Sequence, residues 1–568
     1  MTQELTLSIV GSGGDGAVAA GDILSMACAS EGLHVIKTEA YGPQIRGGES
    51  SCTVRISSAP IYAQGDAIDV LVVFNWADFG RFAGELAPAE GALIFHEEKD
   101  PAPADLGNVR LVPVSFAGAR SKNVFALGLL SAALGLPSAA IRTAVASRFG
   151  KKAEAVIAAN LAAFDAGLQS PAAGASEIKL VYQKSEPKLL MSGNEASAVA
   201  AIDAGCRFFA GYPITPSSEI LHFLAEWLPK IGGSCLQTED ELAAIGAVVG
   251  GSFAGVKSMT ATSGPGLSLM AEMIGLSSMA EVPSVIVNVQ RGGPSTGLPT
   301  KSEQSDLLHA VFASHGDTPR AVIACGDVEE SYHAMIDAFN IAEEFQLPVI
   351  VLTDQSVAQR RETLSADKLT HEVRERHIAT AEEMVDFKRY RDTPTGVSPM
   401  SAPGVKGGEY QTNGLEHDEQ GRPNSMFSMH EKMNAKRYRK LDAIAERYPL
   451  YTRYGPVKAA LGILCWGSSA GPVREAIEKM NAAGESVAAF VPRMIMPLPK
   501  RELEQFVASC DEILVVELSY SKQFYQYLRT EIDLPHDRTR VYARSGGKAL
   551  GVNEVMLVAA RLSEEVLV

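Results

Sequence analysis

A chain of 568 residues with 46% hydrophobic content and mean hydropathy of +0.04 can build several cores, three to four domains at roughly 100–200 residues each. Its formal net charge of −16, with both signs scattered along the sequence, argues against a nucleic-acid or anionic-membrane surface. No run of about 18 apolar residues occurs, and MTQELTLSIVGSGG has no charged leader with a cleavage site, so a cytoplasmic protein is expected.

In chain order, LTLSIVG (Leu5 to Gly11) reads as a buried strand, GSGGDGAVAAGDILSMACASEG as a loop and helix, and LHVIKTEA (Leu33 to Ala40) as a second strand. Gly11, Gly13 and Gly16 stand in G-x-G-x-x-G register, and Glu39 lies where a ribose-binding acid would be, which suggests a βαβ opening. Alone this fingerprint is weak. The turn Gly11, Gly13, Gly14, Gly16 suits NAD(P), another phosphate-bearing ligand such as coenzyme A, or nothing beyond a tight turn. Next comes YGPQIRGGESSCTVRI, where Arg46 sits between Pro43 and two glycines. It is either a surface arginine or a guanidinium placed to capture carboxylate or phosphate.

The small-residue stretch PAAGASEIK opens a linker expected at residues 173–187. Residues 188–372 alternate strands (SVIVNV, AVIAC, LPVIVLTD) with helical patterns, the sign of a doubly wound parallel sheet. Here GYPITPSSE, TEDELAAIGAVVGG, TATSGPGLSLMAE and TGLPTKSEQSDL each place turn residues where an apolar run stops and a helix starts. Open α/β sheets hold ligands at such points. Residues 373–455 have no period and many turn residues, so they read as an irregular segment laid across other domains. A last α/β module follows at residues 456–568, after the first at 1–172.

The seven cysteines stand singly, with no CxxC or CxH pair, so no iron–sulfur or zinc site is expected within this chain and no metal ligand is assigned. Glu241 opens the most apolar helix of the set. A carboxylate there is either a helix-stabilising acid, together with Glu239 and Asp240, or a group whose neutral form burial favours. The second kind, beside a heteroaromatic ring nitrogen, drives thiamine diphosphate to its reactive tautomer. Residue types alone leave both open.

The order YPITPSSE, EDELAAIGAVVG, TSGPGLSLM, GLPTKSEQSDL resembles the α subunit of 2-oxoacid:ferredoxin oxidoreductases. GSGGDGAVAAG with YGPQIRGG resembles their γ domain, here fused ahead of α. The γ-then-α order resembles the KorA type, assigned to 2-oxoglutarate. The resemblance implies a pyrimidine-binding central module and a transketolase C-terminal-like last module. It makes Glu241 the thiamine-activating glutamate, with Glu239 as runner-up. Thr215 would sit by the reacting carbonyl, and Tyr212, Pro213 and Ile214 would shape the loop around the thiazolium. Lys301 falls where many relatives carry arginine for the 2-oxoacid carboxylate, with Arg46 a further substrate candidate. A lysine keeps that charge without the bidentate fork. Lys522 stands where relatives carry glycine before Gln523, and the last module receives no site residues.

Gly14–Asp15–Gly16 imitates the start of the thiamine-enzyme magnesium motif, but no asparagine follows before Asn75. Diphosphate-binding Mg²⁺ and [4Fe–4S] clusters are therefore expected in a partner β subunit, with ferredoxin, CoA and the 2-oxoacid as reaction partners. An (αβ)₂ assembly and use in either direction, including reductive carbon fixation, are also implied. A pyruvate or branched or aryl 2-oxoacid enzyme, an NAD-dependent dehydrogenase and a non-catalytic scaffold subunit are the alternatives.

Overall fold

The structure is a computed structural model in which residues 2–42, 48–82, 84–116 and 121–562 are described. Apolar runs form β1 (Glu4–Ser12), β2 (His34–Tyr41), β3 (Glu49–Ser57), β4 (Ile68–Val73), β5 (Pro88–Glu97), β6 (Arg110–Val114) and β7 (Leu189–Ser192). The central strands are β8 (Phe208–Gly211), β9 (Ser234–Gln237), β10 (Ser258–Thr262), β11 (Ser284–Gln290), β12 (Ala321–Ala324) and β13 (Pro348–Asp354). Then come β14 (Arg361–Leu364), β15 (Tyr451–Tyr454), β16 (Ala459–Leu464), β17 (Val487–Pro492), β18 (Met494–Met496), β19 (Cys510–Glu517) and β20 (Thr539–Ala543). The described residues form an α/β fold with three sheets, and its contacts divide it into two compact units.

The first unit comprises Met1–Ser192, Arg360–Lys368 and Gly551–Asn553 around one sheet of order β6-β5-β4-β1-β3-β2-β14-β7. It corrects the expected βαβ opening. β1 and β2 do not neighbour each other, because β3 lies between them and pairs antiparallel with both. β1 pairs in parallel with β4. The stretch expected to be a linker is hydrogen-bonded to the first unit: Leu180 N donates to Leu134 O at 2.8 Å, and Val181 N to Thr2 O at 2.8 Å. The unit runs on through β7, so the division falls at Ser192.

The second unit carries the other two sheets. One has the order β18-β12-β13-β11-β10-β8-β9, parallel except that β18 runs antiparallel to β12. Every residue of β11 and β13 is buried, as strands covered by helices on both faces require. The other has the order β15-β17-β16-β19-β20. A single apolar core joins both sheets, from Ile245, Leu267 and Ile286 to Trp466, Phe490 and Phe524. Among the described residues no helix is long and apolar enough to cross a membrane.

The segment 373–455 differs from the irregular stretch expected, because Phe427–Arg447 is a 21-residue helix. Its buried face is Met433, Lys436, Arg437, Lys440, Leu441 and Ile444, a helical period in which three of six positions are cationic. Lys436 and Lys440 each reach the fully buried Glu281 at 2.6 Å, while Arg437 pairs with Glu416 at 2.8 Å. Upstream, Arg376 grips Glu343 with two hydrogen bonds of 2.5 and 2.6 Å. The pairs to Glu281, just before β11, and to Glu343, in helix Val328–Phe345, tie this segment to the layer around the central sheet, and Arg437–Glu416 ties it to itself.

Candidate active site

The parallel strands β8, β9, β10 and β11 bring their C-terminal ends, and the turns after them, to one edge of the central sheet. Helix Glu241–Phe253 starts after β9, and there the acidic triplet is divided. Glu239 is exposed, while Asp240 is the N-cap and its side chain accepts from Ala243 N at 2.8 Å. Glu241 turns inward and is 6% exposed. Capping thus belongs to Asp240, which leaves Glu241 without that task.

The Glu241 carboxylate has no hydrogen-bond partner among the described residues. It lies against Gly266 in the first turn of the helix after β10, where a side chain is sterically excluded. Thr260 on β10 and Ser263, the N-cap of helix Gly264–Met279, also keep buried hydroxyls without partners. Such unpartnered groups mark a place where a ligand or ordered water completes the hydrogen bonding. The neighbouring face is apolar and open. Tyr212, Leu236, Leu242 and Leu269 are all 40–49% exposed.

Thr215 lies exposed in the turn after β8, with Pro213 and Ile214 half-buried beside it. Ile214 O accepts from Ser217 N at 2.9 Å and Ser217 Oγ at 3.0 Å, closing the turn onto its helix. From the end of β11, the buried Arg291 donates through Nη1 to Thr215 O at 2.5 Å. Arg291 was not singled out from sequence; its position immediately after a buried strand was the available signal. Asp306 completes the floor. Its N–H donates to Gln290 Oε1 at 3.0 Å and its carboxylate accepts from Asn288 Nδ2 at 3.0 Å. Burial pushes the Asp306 carboxyl up from its ordinary value, opposed by Asn288, His309 and Arg291.

Lys301 is half-buried at the base of a loop closed by Gly292 N donating to Lys301 O at 3.0 Å. That loop is held by the last sheet, to which the sequence assigned no site residues. Gln304 Oε1 accepts from Ser469 Oγ and Leu518 N, each at 3.0 Å, and its Nε2 donates to Trp466 O at 2.6 Å. Gln523 donates to Ser305 O at 2.6 Å, and Gly546 N donates to Glu303 Oε1 at 3.0 Å. Lys522, expected to stand where relatives carry glycine, holds a left-handed φ of 59°. Glycine adopts that conformation without steric cost.

In the first unit, Gly13, Gly14, Gly16, Asp22, Tyr41 and Arg148 line a cavity of about 370 Å³. Part of the expected phosphate cradle is already filled. Ser12 N donates to Asp15 Oδ2 at 2.9 Å, Gly13 N to Gly48 O at 2.6 Å, and Gly11 is buried beneath the Asp15 carboxylate. Glu39 bonds Lys37 and Tyr41, so it is not a free ribose acceptor. Together with the antiparallel β3, this removes the structural context of a dinucleotide fingerprint. Arg46 lies outside the described residues.

Residues 199–436 match the family "Pyruvate flavodoxin/ferredoxin oxidoreductase, thiamine diP-bdg". Residues 6–170 match "Pyruvate ferredoxin/flavodoxin oxidoreductase", and residues 459–555 match "Pyruvate:ferredoxin oxidoreductase core domain II". The α subunit of 2-oxoacid:ferredoxin oxidoreductase 1 of Aeropyrum pernix is 32% identical over 92% of both chains. The 2-oxoglutarate synthase subunit KorA of Methanothermobacter marburgensis is 39% identical over 60% of this chain and 90% of its own. A solved 2-oxoglutarate:ferredoxin oxidoreductase from Magnetococcus marinus, with 2-oxoglutarate, coenzyme A and succinyl-CoA bound, superposes with a TM-score of 0.94. It is 36% identical, and the match covers 100% of both chains.

Proposed function

The chain belongs to the 2-oxoacid:ferredoxin oxidoreductase family as an α subunit, and from that premise we propose that it acts on 2-oxoglutarate. With a β subunit it would convert 2-oxoglutarate, CoA and oxidised ferredoxin reversibly to succinyl-CoA, CO₂ and reduced ferredoxin, in the cytoplasm. The names of its relatives support the substrate. One geometric observation carries the site: Glu241 is buried, is relieved of capping by Asp240 and has no hydrogen-bond partner among the described residues.

These residues fit the aminopyrimidine of thiamine diphosphate, because a buried carboxylate without a partner suits a ring nitrogen that shares a proton. When bound, that cofactor supplies the carbanion chemistry that breaks the bond to the departing carboxylate. Glu241 holds and moves the proton at the ring nitrogen. Thr215, steadied by Arg291, lies beside the substrate carbonyl, with Tyr212, Pro213 and Ile214 shaping the cofactor loop. Lys301 holds the 2-oxoacid carboxylate by charge. The β subunit brings Mg²⁺ and the [4Fe–4S] clusters and covers the exposed Tyr212, Leu242 and Leu269. CoA is assigned to the cavity of the Gly14–Gly16 turn, where Arg148 supplies positive charge, so Arg148→Ala raises the KM for CoA alone.

The test is co-expression with the β subunit, followed by thiamine-dependent ferredoxin reduction with a panel of 2-oxoacids. The highest kcat/KM is expected with 2-oxoglutarate. A higher value with pyruvate or a branched 2-oxoacid reassigns the substrate, and no turnover with any of them ends the proposal. The chain purified alone is expected to be colourless and inactive.

A further inference from the structure

A lysine carries its charge on a flexible four-carbon stem, so a lysine that fixes a carboxylate needs that stem held. The turn Arg544–Lys548, which follows β20, does the holding here. Arg544 makes it rigid, donating to Lys548 O at 2.8 Å, Ala549 O at 3.0 Å and Glu554 Oε2 at 3.0 Å. Gly546 N ties the turn to Glu303, two residues beyond Lys301, at 3.0 Å. Gly547 is buried with φ of 76°. A Cβ there would lie 2.5 Å from Lys301 Cβ, 3.1 Å from its Cγ and 3.4 Å from Leu298 Cδ1. Only a glycine lets the turn close on the lysine stem.

We propose that Gly547 is a positioning residue for Lys301 and thereby sets the affinity for the 2-oxoacid. The inference rests on the reading of Lys301 as the carboxylate anchor, and it adds a specificity element from the last sheet.

The experiment uses the complex with the β subunit and measures KM and kcat for 2-oxoglutarate. Gly547→Ala is expected to raise KM about tenfold while kcat stays within about threefold, the signature of lost uniform binding. Gly484→Ala is the control for strain alone, since Gly484 shares a left-handed φ of 94° with nothing within 4 Å of its added Cβ. It should leave KM unchanged. In a Lys301→Ala background, Gly547→Ala should add no further rise. An unchanged KM in Gly547→Ala, or its full rise persisting in the Lys301→Ala background, overturns the positioning role while the anchor reading stands. An unchanged KM in Lys301→Ala alone overturns the anchor reading and the inference with it. If Gly547→Ala does not assemble, Glu303→Met decides, because methionine keeps the length of the side chain but removes the carboxylate that accepts from Gly546 N. A KM rise of about threefold or more with kcat retained supports the tie between turn and loop, and an unchanged KM overturns it.

Discussion

Glu241 and Gly266 meet at the mouth of the central sheet so closely that a Cβ on Gly266 would lie 2.6 Å from Glu241 Oε1. The glycine in the first turn of helix Gly264–Met279 therefore limits where the carboxylate of the helix after β9 stands, and neither motif makes that site alone.

Gly266→Ala should displace the Glu241 carboxylate and overpack the turn, at a typical cost of about 1–3 kcal/mol. The thermal midpoint of the αβ complex should fall, and kcat should fall further than stability explains. Retained kcat with a lowered midpoint would separate Gly266 from the chemistry.

Glu241→Gln keeps size and hydrogen bonding but cannot shuttle a proton. We expect kcat to drop by about 10²–10⁴-fold with thiamine diphosphate still bound. Asp240→Ala should instead cost about 1 kcal/mol of stability, and exposed Glu239→Gln little of anything. Hydrogen–deuterium exchange at thiamine C2 reads this directly. Slowing in the Glu239 variant but not in the Glu241 variant would exchange their roles.

Arg291→Ala removes a charge-assisted hydrogen bond to Thr215 O, worth about 1.5–3 kcal/mol. The Thr215 turn should loosen, and kcat/KM should fall by about 10–100-fold, with partial recovery in Arg291→Lys. Unaltered kinetics in Arg291→Ala would show that the turn needs no such tie.

Lys440 is buried among Glu281, Lys436 and Arg389, and burial lowers its pKa to about 7 despite the attraction of Glu281. The unfolded chain keeps that proton up to the ordinary 10.5, so between these values it binds more protons than the folded chain. Stability therefore rises with pH across this window, by at most about 1.4 kcal/mol per unit. Thermal midpoints taken from about pH 7.5 to 9.5 should climb in the native chain relative to Lys440→Met. Equal slopes would show that Lys440 keeps its proton in the fold.

Lys522 adopts a left-handed conformation that costs a non-glycine residue roughly 1–2 kcal/mol. Lys522→Gly should raise the midpoint without altering KM. A lowered midpoint would mean that the lysine side chain contributes more than its backbone costs.

Much of the central sheet was legible because its strands are continuous apolar runs ending in turn residues, the pattern that burial on both faces imposes. The helix Phe427–Arg447 was not, since its inward stripe includes Lys436, Arg437 and Lys440, and a hydrophobic period cannot report buried ion pairs. The inserted β3 was invisible for another reason: strand order is a long-range property, and Gly11, Gly13 and Gly16 describe only a local turn. Within the candidate site, the acidic triplet could be divided only once the backbone showed which carboxylate points inward. Gly547 carried no signal because its partner, Lys301, lies far away in sequence.

That separation also has a consequence for synthesis. Glu303 and Gly546 are 243 positions apart, so the loop bearing Lys301 emerges from the ribosome long before the turn that holds it. At about 5–20 residues per second the interval is roughly 12–50 s. When Glu303 emerges the central sheet has only β8, β9, β10 and β11, and the Lys301 loop stays without its tie while β12, β13 and β18 are added. A truncated product ending before residue 544 would carry the Lys301 loop without the tie from Gly546 to Glu303.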